Sequence, residues 1–282
     1  MKEKLLRDRT IALTGASMGI GYAVARQCAA DGAKLILISR HREDLQRVAP
    51  TLDNGPHDVY EMDVSKLDRV TEFVLYLESR YLRLDGLVNC AGIYGPIGRT
   101  EDIPPDEFAE AIQVNLFGTF YMCRFLLPLL KKAQRGKIVN FAGGGAASAL
   151  PNYSAYAVSK AGVVRFTENL ALEYRSDRID ANCVGAGFVV TRMHQQTIKA
   201  GDRAGNLLEF TKNQMATGGV PPEKAAALTS FLLSPASDGI SGKFISASWD
   251  PWSEESFISL LKGDEDLATV RRIDNKKFFK ML

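Results

Sequence analysis

The feature that most constrains the fold of this chain is a regular alternation of short apolar segments with longer helical patterns. The short segments are almost continuously hydrophobic, which is typical of parallel strands that helices cover on both faces. The predicted strands are residues 10–13, 34–39, 59–62, 86–89, 137–141, 179–184 and 243–246, and the predicted helices include residues 19–30, 66–81, 108–132, 154–174 and 222–233.

No linker interrupts this alternation, so we predict a single doubly wound α/β domain. Its sheet has seven mostly parallel strands with helices on both faces. Residues 1–250 of the 282 form this domain, and residues 251–282 form a C-terminal extension. The extension is acidic first and basic later, and we expect it to fold over the substrate side of the domain or onto a neighbouring subunit.

Composition and charge exclude several classes of protein. A formal net charge of +2 creates no overall field that would hold nucleic acid. No apolar run approaches the ~20 residues that span a bilayer, and the first residues lack the apolar core of a secretory signal. The cysteines, Cys28, Cys90, Cys123 and Cys183, lack metal-ligand spacing. We therefore predict a cytoplasmic protein with a small-molecule substrate, no metal site, and neither nucleic acid nor membrane as a partner.

A glycine-rich turn with the sequence TGASMGIG, residues 14–21, follows the first predicted strand and opens a helix. Glycine permits a tight turn and lets the backbone approach a pyrophosphate closely. The N-terminus of the helix adds N–H donors for the same anion. An ordinary strand–helix turn can also be rich in glycine, so it is the position in the first βα unit that favours a dinucleotide site.

The end of the second predicted strand bears on which cofactor binds. Folds that bind NAD usually place a carboxylate here for the ribose 2′-hydroxyl. This chain has Ser39 and Arg40 instead, and a guanidinium suits a 2′-phosphate. The sequence therefore favours NADP(H), with NAD(H) as the alternative.

With its later motifs, the chain resembles the classical short-chain dehydrogenase/reductase family over residues 8–250. Residues 14–21 resemble the family's TGxxxGxG loop, Asp63 and Val64 its adenine contacts, residues 89–92 its NNAG element, Asn115 its helix asparagine, Tyr156 and Lys160 its YxxxK pair, and Gly187 and Thr191 its PGxxxT element. Each motif is common alone, but the ordered set is specific. The resemblance implies a Rossmann-like fold and a homodimer or homotetramer.

The same resemblance assigns the cofactor site residue by residue. The implied cofactor-binding residues are Thr14, Gly15, Ser17, Met18, Gly19, Ile20, Gly21, Ser39, Arg40, Asp63, Val64, Asn89, Ala91, Gly92, Tyr156, Lys160, Gly187, Val189 and Thr191.

Tyr156 and Lys160 are the predicted acid–base pair. They stand four residues apart in a helical pattern and therefore share one face. A phenol with an ordinary pKa of about 10 is a poor acid or base at neutral pH unless a cation stabilises its phenolate. The resemblance implies that Tyr156 protonates the oxygen of a reduced carbonyl, that Lys160 also holds the nicotinamide ribose, and that Asn115 continues the proton path.

One departure from the family pattern matters more than any other. The resemblance implies a serine about thirteen residues before the tyrosine, where this chain has Gly143. That serine donates a hydrogen bond to the substrate oxygen, and loss of such a donor typically costs ~10²–10³ in rate. Three alternatives remain open: backbone N–H groups of the glycine run act instead; Ser148, Ser154 or Tyr153 acts instead; or the protein binds the nucleotide without efficient turnover.

The substrate side is expected to comprise residues 93–100, 143–153 and 191–219. The candidate substrate contacts are Gly143, Gly144, Ser148, Tyr153, His194 and Trp252. Charged residues in these segments, among them Arg99, Arg192, Arg203 and Lys212, either bind an anionic substrate or lie solvated on a lid. Trp249 and Trp252 either stack on a hydroxylated ring or anchor the tail on the domain.

The sequence thus predicts an NADP(H)-dependent oxidoreductase that interconverts a ketone and a secondary alcohol. Stacking by the tryptophans favours a polar, sugar-like ketone. The alternative is a catalytically weak NADP(H)-binding or regulatory protein of the same fold, and Gly143 is the reason to consider it.

Overall fold

Residues 4–272 are described by the computed structural model. Its strands are β1 (Thr10–Thr14), β2 (Lys34–Ser39), β3 (Asp58–Glu61), β4 (Gly86–Asn89), β5 (Gly136–Phe141), β6 (Ile179–Gly185) and β7 (Phe244–Ser246). They form one 7-stranded sheet in the order β3-β2-β1-β4-β5-β6-β7. Neighbouring strands in this sheet are parallel. The predicted doubly wound α/β fold is confirmed.

The helices of the described part are α1 (Gly19–Ala30), α2 (Arg42–Val48), α3 (Leu67–Arg80), α4 (Pro105–Ile112), α5 (Gly118–Leu130), α6 (Ser154–Glu173), α7 (His194–Ala200), α8 (Leu207–Thr217), α9 (Pro222–Leu233) and α10 (Glu255–Gly263). The sequence patterns do not predict α2, α7, α8 and α10. The helix predicted at 108–132 corresponds to a continuous helical span, residues 105–130, in which a π-helical turn (Gln113–Phe117) joins α4 to α5. None of the helices in residues 4–272 has the length and apolar character to cross a membrane.

The sheet is covered on both faces, and β2 shows why its sequence is continuously apolar. Leu35 and Leu37 belong to the layer that contains α1 and α9. Ile36 and Ile38 belong to the opposite layer, with α3 and α5. All four side chains are fully buried, and each such burial stabilises the fold by roughly 1.5–3 kcal/mol.

The described part of the C-terminal extension packs on the edge of the sheet. The backbone nitrogen of Phe244 in β7 donates to the carbonyl oxygen of Ala268 at 2.6 Å, and the guanidinium of Arg271 pairs with the buried carboxylate of Glu168 at 2.9 Å. Glu168 lies in the C-terminal half of α6, far along the helix from Tyr156. These contacts differ from the expected cover over the substrate side, because β7 offers unpaired backbone groups to the tail. The basic residues Lys276, Lys277 and Lys280 lie outside the described residues.

Candidate active site

The turns after β1 and β4 meet at the carboxyl edge of the sheet, and they approach each other too closely to leave room for a side chain at the contact. Gly15 has a φ of +68°, and a Cβ there would lie 2.9 Å from the backbone nitrogen of Ala91. The Oγ1 of Thr14 accepts hydrogen bonds from the backbone nitrogens of Cys90 and Ala91 at 3.1 and 3.2 Å. The glycine-rich loop is therefore fixed against the loop that follows β4.

A cleft of about 310 Å³ opens above this junction. Doubly wound sheets bind ligands at this edge, and the volume lies in the range of small-molecule sites. The predicted cofactor residues that line the cleft are Gly15, Ser17, Met18, Gly19, Ile20, Gly21, Ser39, Arg40, Asp63, Val64, Ala91, Gly92 and Thr191.

The remaining predicted cofactor residues lie outside the cleft lining. Thr14 and Asn89 are buried beneath it, because their polar atoms fix the β4 turn: the Asn89 amide donates to Asn140 Oδ1 at 2.8 Å. Val189 is buried and forms an isolated bridge with Gly219. Gly187 has a φ of +77° beside Ser248. Tyr156 and Lys160 are also outside this lining, and their surroundings are described below.

Sequence reasoning missed several residues of the cleft. They are Ile38, His41, Met62, Cys90, Ile93, Val114, Met193 and Gln196, together with Arg192, which was assigned to the substrate side. Most are direct neighbours of motif residues and could have been found from that adjacency. Met193 and Gln196 carry no such signal, because they belong to α7 and the residue before it. Burial raises the pKa of the Cys90 thiol to about 12, so it is neutral there.

The rim of the cleft at the end of β2 is positively charged. Arg40 is exposed, and within residues 4–272 it has no ion-pair partner. Asp63, the nearest predicted acid in the lining, uses Oδ1 to accept hydrogen bonds from the backbone and hydroxyl of Ser65 at 2.9 and 2.7 Å. An unpaired guanidinium at this position suits a phosphate group.

Asn115 connects the cleft wall to α6. It lies in the π-helical turn and is fully buried. Its Nδ2 donates to the carbonyl oxygen of Ile93 at 2.8 Å and to Ser159 Oγ at 2.9 Å. Its Oδ1 accepts from the backbone nitrogen of Ile93 at 2.8 Å. One side chain therefore holds the loop after β4 in register with α6.

Lys160 lies directly behind Gly92 of the cleft wall. A Cβ on Gly92 would lie 3.4 Å from the Lys160 Nζ and 3.1 Å from the Asn115 Oδ1. The ammonium donates to the carbonyl oxygen of Phe141 at 2.8 Å. Its side chain is buried, and burial lowers the pKa of Lys160 to about 8. At neutral pH the lysine is therefore mostly charged, and its pKa lies only about one unit above that pH.

Tyr156 stands over Gly143, the position where the family has serine. A Cβ on Gly143 would overlap the Tyr156 hydroxyl and would lie 2.8 Å from Cζ. The φ of Gly143 is −170°, an extended conformation open to any residue, so the need for glycine here is one of space. Burial raises the pKa of Tyr156 to about 12. The hydroxyl is therefore protonated at neutral pH.

An aromatic cluster surrounds Tyr156 on its outer side. The ring of Tyr94 meets the rings of Tyr156, Tyr153 and His194 edge-on, with centroids 5.0, 5.4 and 5.9 Å apart. Residues 194–217, which include α7 and α8 and which we call the lid, close this cluster. The apolar side chains packed with these tyrosines are Ile97, Leu150, Ala200, Ala204, Leu207 and Leu208.

The predicted substrate contacts fall into two groups. Tyr153 and His194 are buried in the aromatic cluster. The Tyr153 hydroxyl donates to Thr197 Oγ1 at 2.9 Å, and His194 Nδ1 accepts from the backbone nitrogen of Thr191 at 3.2 Å. Burial lowers the pKa of His194, so the ring is neutral at neutral pH. Gly144 and Ser148 are exposed on the turn after β5.

The surroundings of Trp252 favour the alternative that it anchors the tail. Its ring packs on Phe231 of α9, with centroids 5.8 Å apart, inside the core layer that contains α1. The alternative, an anchor for the tail, describes it. Trp249 is 84% exposed. The two tryptophans therefore do not form a joint stacking wall.

The charged residues of the segments expected on the substrate side are exposed. Lys212 and Glu209 are exposed and pair with each other at 2.6 Å, and Arg99 pairs with Glu101 at 2.8 Å. Arg203 is also exposed, and Arg192 lies at the cleft rim. The structure favours the alternative of a solvated lid over that of an anion-binding pocket.

Comparison with known proteins agrees with this geometry. The family model described as enoyl-(acyl carrier protein) reductase matches residues 15–248. Levodione reductase of Leifsonia aquatica is 34% identical over 237 residues, which are 80% of this chain and 88% of the relative. The NAD-dependent glycerol dehydrogenase of Listeria innocua is 29% identical, over 86% of this chain and 93% of that protein.

A solved structure shares the fold. A short chain dehydrogenase from Shigella flexneri 2a, in a crystal structure complexed with NADP, superposes with a TM-score of 0.78 at 27% identity and covers 88% of this chain and 100% of its own. The family model covers most of the chain, and the ordered motifs lie around one cleft. The chain belongs to the short-chain dehydrogenase/reductase family of oxidoreductases.

Proposed function

We propose that this protein interconverts a ketone and a secondary alcohol with NADP(H), and that Tyr156 and Lys160 form its acid–base pair. One observation carries the proposal: Gly92 lines the cleft on one side and meets Lys160 and Asn115 on the other. The predicted cofactor site and the predicted proton-transfer groups are therefore separated by a single residue without a side chain.

The residues present suit a dinucleotide. The glycines of the 14–21 loop leave a cradle that side chains would fill, and Arg40 offers an unpaired guanidinium for a 2′-phosphate. The solved relative complexed with NADP supports the same choice, whereas the NAD-dependent glycerol dehydrogenase keeps NAD(H) as the alternative. When bound, the cofactor supplies or accepts the hydride.

The charge states of the pair suit the reduction of a ketone. With pKa values of about 12 for Tyr156 and about 8 for Lys160, the pair at neutral pH is a phenol beside an ammonium. The phenol donates the proton that the carbonyl oxygen needs as the carbon receives its hydride, so C=O becomes CH–OH. The ammonium stabilises the phenolate that remains. Solvent then returns a proton to Tyr156, and we place Asn115 on that path.

The side chains around Tyr156 favour an apolar, ring-shaped ketone. Tyr94, Tyr153 and the aliphatic residues of the lid form an apolar wall, and the cations of the lid point to solvent. Between the two relatives, this wall suits a levodione-like compound better than glycerol. The expectation of a sugar-like ketone loses its support with the packing of Trp252.

The test is a comparison of two classes of substrate. We expect NADPH-dependent reduction of levodione or a 3-ketosteroid, and little oxidation of glycerol or 3-hydroxybutyrate with NADP⁺. Tyr156→Phe should reduce kcat by ~10²–10⁴-fold, since it removes the proton donor, and should still bind NADPH. Tight NADPH binding with no turnover in either class would instead identify the catalytically weak binding protein.

A further inference from the structure

The serine position cannot supply a second hydrogen-bond donor in this protein. Its space is taken by Tyr156, because any side chain on Gly143 would meet the phenol ring within 2.9 Å of Cε1 and 2.8 Å of Cζ. A carbonyl oxygen in the site has two lone pairs, and the proton donor Tyr156 would form a hydrogen bond with one of them. A second side-chain donor must therefore come from another segment.

Most hydroxyl groups near Tyr156 are already engaged. Tyr153 donates to Thr197 at 2.9 Å. Ser159 donates to the carbonyl oxygen of Tyr156 at 2.7 Å and accepts from Asn115. Ser148 is exposed on its turn and lies outside the aromatic cluster. Two hydroxyls remain, because no hydrogen bond engages that of Ser154 or that of Tyr94 within residues 4–272. Ser154 stands two residues before Tyr156 in α6 and so faces another side of the helix, whereas the ring of Tyr94 contacts that of Tyr156.

Tyr94 is held rigidly beside Tyr156. Its ring contacts Tyr156 edge-on at 5.0 Å and is supported by Tyr153 and His194. The residue before it, Ile93, is clamped by two hydrogen bonds with Asn115. The residue after it, Gly95, has a φ of +72° and so little space that a Cβ would lie 2.6 Å from Ala111. The loop therefore presents Tyr94 in a fixed position.

The hydroxyl of Tyr94 is also a permanent donor. Burial first, and then the nearby hydroxyls of Tyr156 and Tyr153, raise the pKa of Tyr94 well above its ordinary value. The group therefore remains protonated even when Tyr156 becomes a phenolate. A neutral donor that is fixed before the substrate arrives is what stabilisation of a developing oxyanion requires.

We propose that Tyr94 donates the second hydrogen bond to the substrate carbonyl oxygen, in the role that a serine fills elsewhere in the family. This inference rests on the proposed function, since it names a further group for the same reaction. Tyr94 comes from the loop after β4, whereas the family's serine follows β5. The two donors therefore approach the oxygen from different strands.

The decisive variant is Tyr94→Phe, which keeps every ring contact and removes only the hydroxyl. We expect a ~10²-fold fall in kcat for levodione, with KM within about threefold and NADPH affinity unchanged. Tyr76→Phe in α3 is the control. It removes a tyrosine hydroxyl that donates to Asp58 at 3.2 Å and lies outside both the cleft lining and the aromatic cluster, so kcat should change by less than about threefold.

A spectroscopic measurement tests the hydrogen bond without turnover. Carbonyl-labelled levodione in a complex of the enzyme with NADP⁺ should show a lowered C=O stretching frequency. Tyr94→Phe should return the band towards the value of the free ketone, and Tyr76→Phe should not. An unmoved band with unchanged kcat, or no bound carbonyl band in the unmodified enzyme, overturns the role of Tyr94.

The outcomes separate this inference from the proposed function. If Tyr156→Phe abolishes turnover and Tyr94→Phe does not alter it, the reaction stands and the role of Tyr94 is wrong. If no ketone is reduced but the band shift depends on Tyr94, the residue binds a carbonyl and the proposed reaction is wrong.

Discussion

The cleft that suits the cofactor, here called the cofactor end, differs in construction from the aromatic cluster beside it, here called the proposed substrate end. The cofactor end is made of backbone: glycines at fixed spacing let the loop after β1 touch the loop after β4. The proposed substrate end is made of side chains from three distant segments, the loop after β4, the start of α6 and the lid. A backbone that must turn tightly or approach another loop closely restricts the residue type at fixed positions, so sequence motifs reveal it. A wall of side chains depends on which segments the fold brings together, so sequence motifs do not reveal it.

Gly143→Ser is the largest test of this difference, because it restores a family residue at the border of the two ends. If motifs governed the proposed substrate end, the variant would gain activity. We expect a ~10²-fold loss of kcat, since the new side chain displaces the Tyr156 hydroxyl. Unfolding experiments should also show a loss of stability of ~1–3 kcal/mol from overpacking.

Gly144→Ser is the matched control for that variant. No atom lies within 4 Å of a Cβ at Gly144. Its kcat should be unchanged, and its stability should lie within about 0.5 kcal/mol of the unmodified protein. Equal effects of the two substitutions, or a gain of activity in Gly143→Ser, would contradict the steric account.

Lys160 links the two ends, and its burial should be visible in the pH dependence of stability. The pKa of Lys160 is about 8 in the folded protein, against an ordinary value of 10.5. Between these values the unfolded chain binds more protons, so stability contributed by this group rises with pH across this window. Below pH 8 the buried charge costs up to roughly 3 kcal/mol.

Lys160→Met should therefore be more stable than the unmodified protein at pH 7, although it should be inactive. The difference in unfolding free energy should shrink as pH rises from 8 to 10.5. The neighbouring groups Cys90, Cys183 and Tyr156 have pKa values of about 12 and stay neutral over this range. A stability difference that is independent of pH would show that burial of the lysine charge does not destabilise the folded protein.

Arg40→Ala addresses the cofactor end alone and should have the smallest effect. We expect the Kd for NADPH to rise about tenfold through loss of a charge-assisted hydrogen bond, with NADH affinity unchanged. Arg42→Ala is the control, because Arg42 is equally exposed but lies outside the cleft lining. A parallel weakening of NADPH and NADH would remove the preference for the phosphorylated cofactor.

The same contrast explains what could be predicted from sequence. The strands were found within a few residues, because burial on both faces leaves a continuous apolar run such as Leu35–Ile38 visible in the sequence. The ordered family motifs, the glycine-rich loop among them, located most of the cleft lining. The lid was missed, because α7 and α8 are short and bury few residues of their own. Tyr94 was missed because its importance arises from contacts with α6 and the lid.

The pairing of Ala268 with β7 has a consequence for folding during synthesis of the chain. The residues that cover this edge of the sheet come after all seven strands in chain order. During synthesis the sheet can therefore assemble while its last edge is still bare, and a bare edge invites pairing with other chains. A chain truncated before residue 264 would keep the proposed catalytic groups but expose this edge of the sheet. We therefore expect such a chain to aggregate although its catalytic groups are intact.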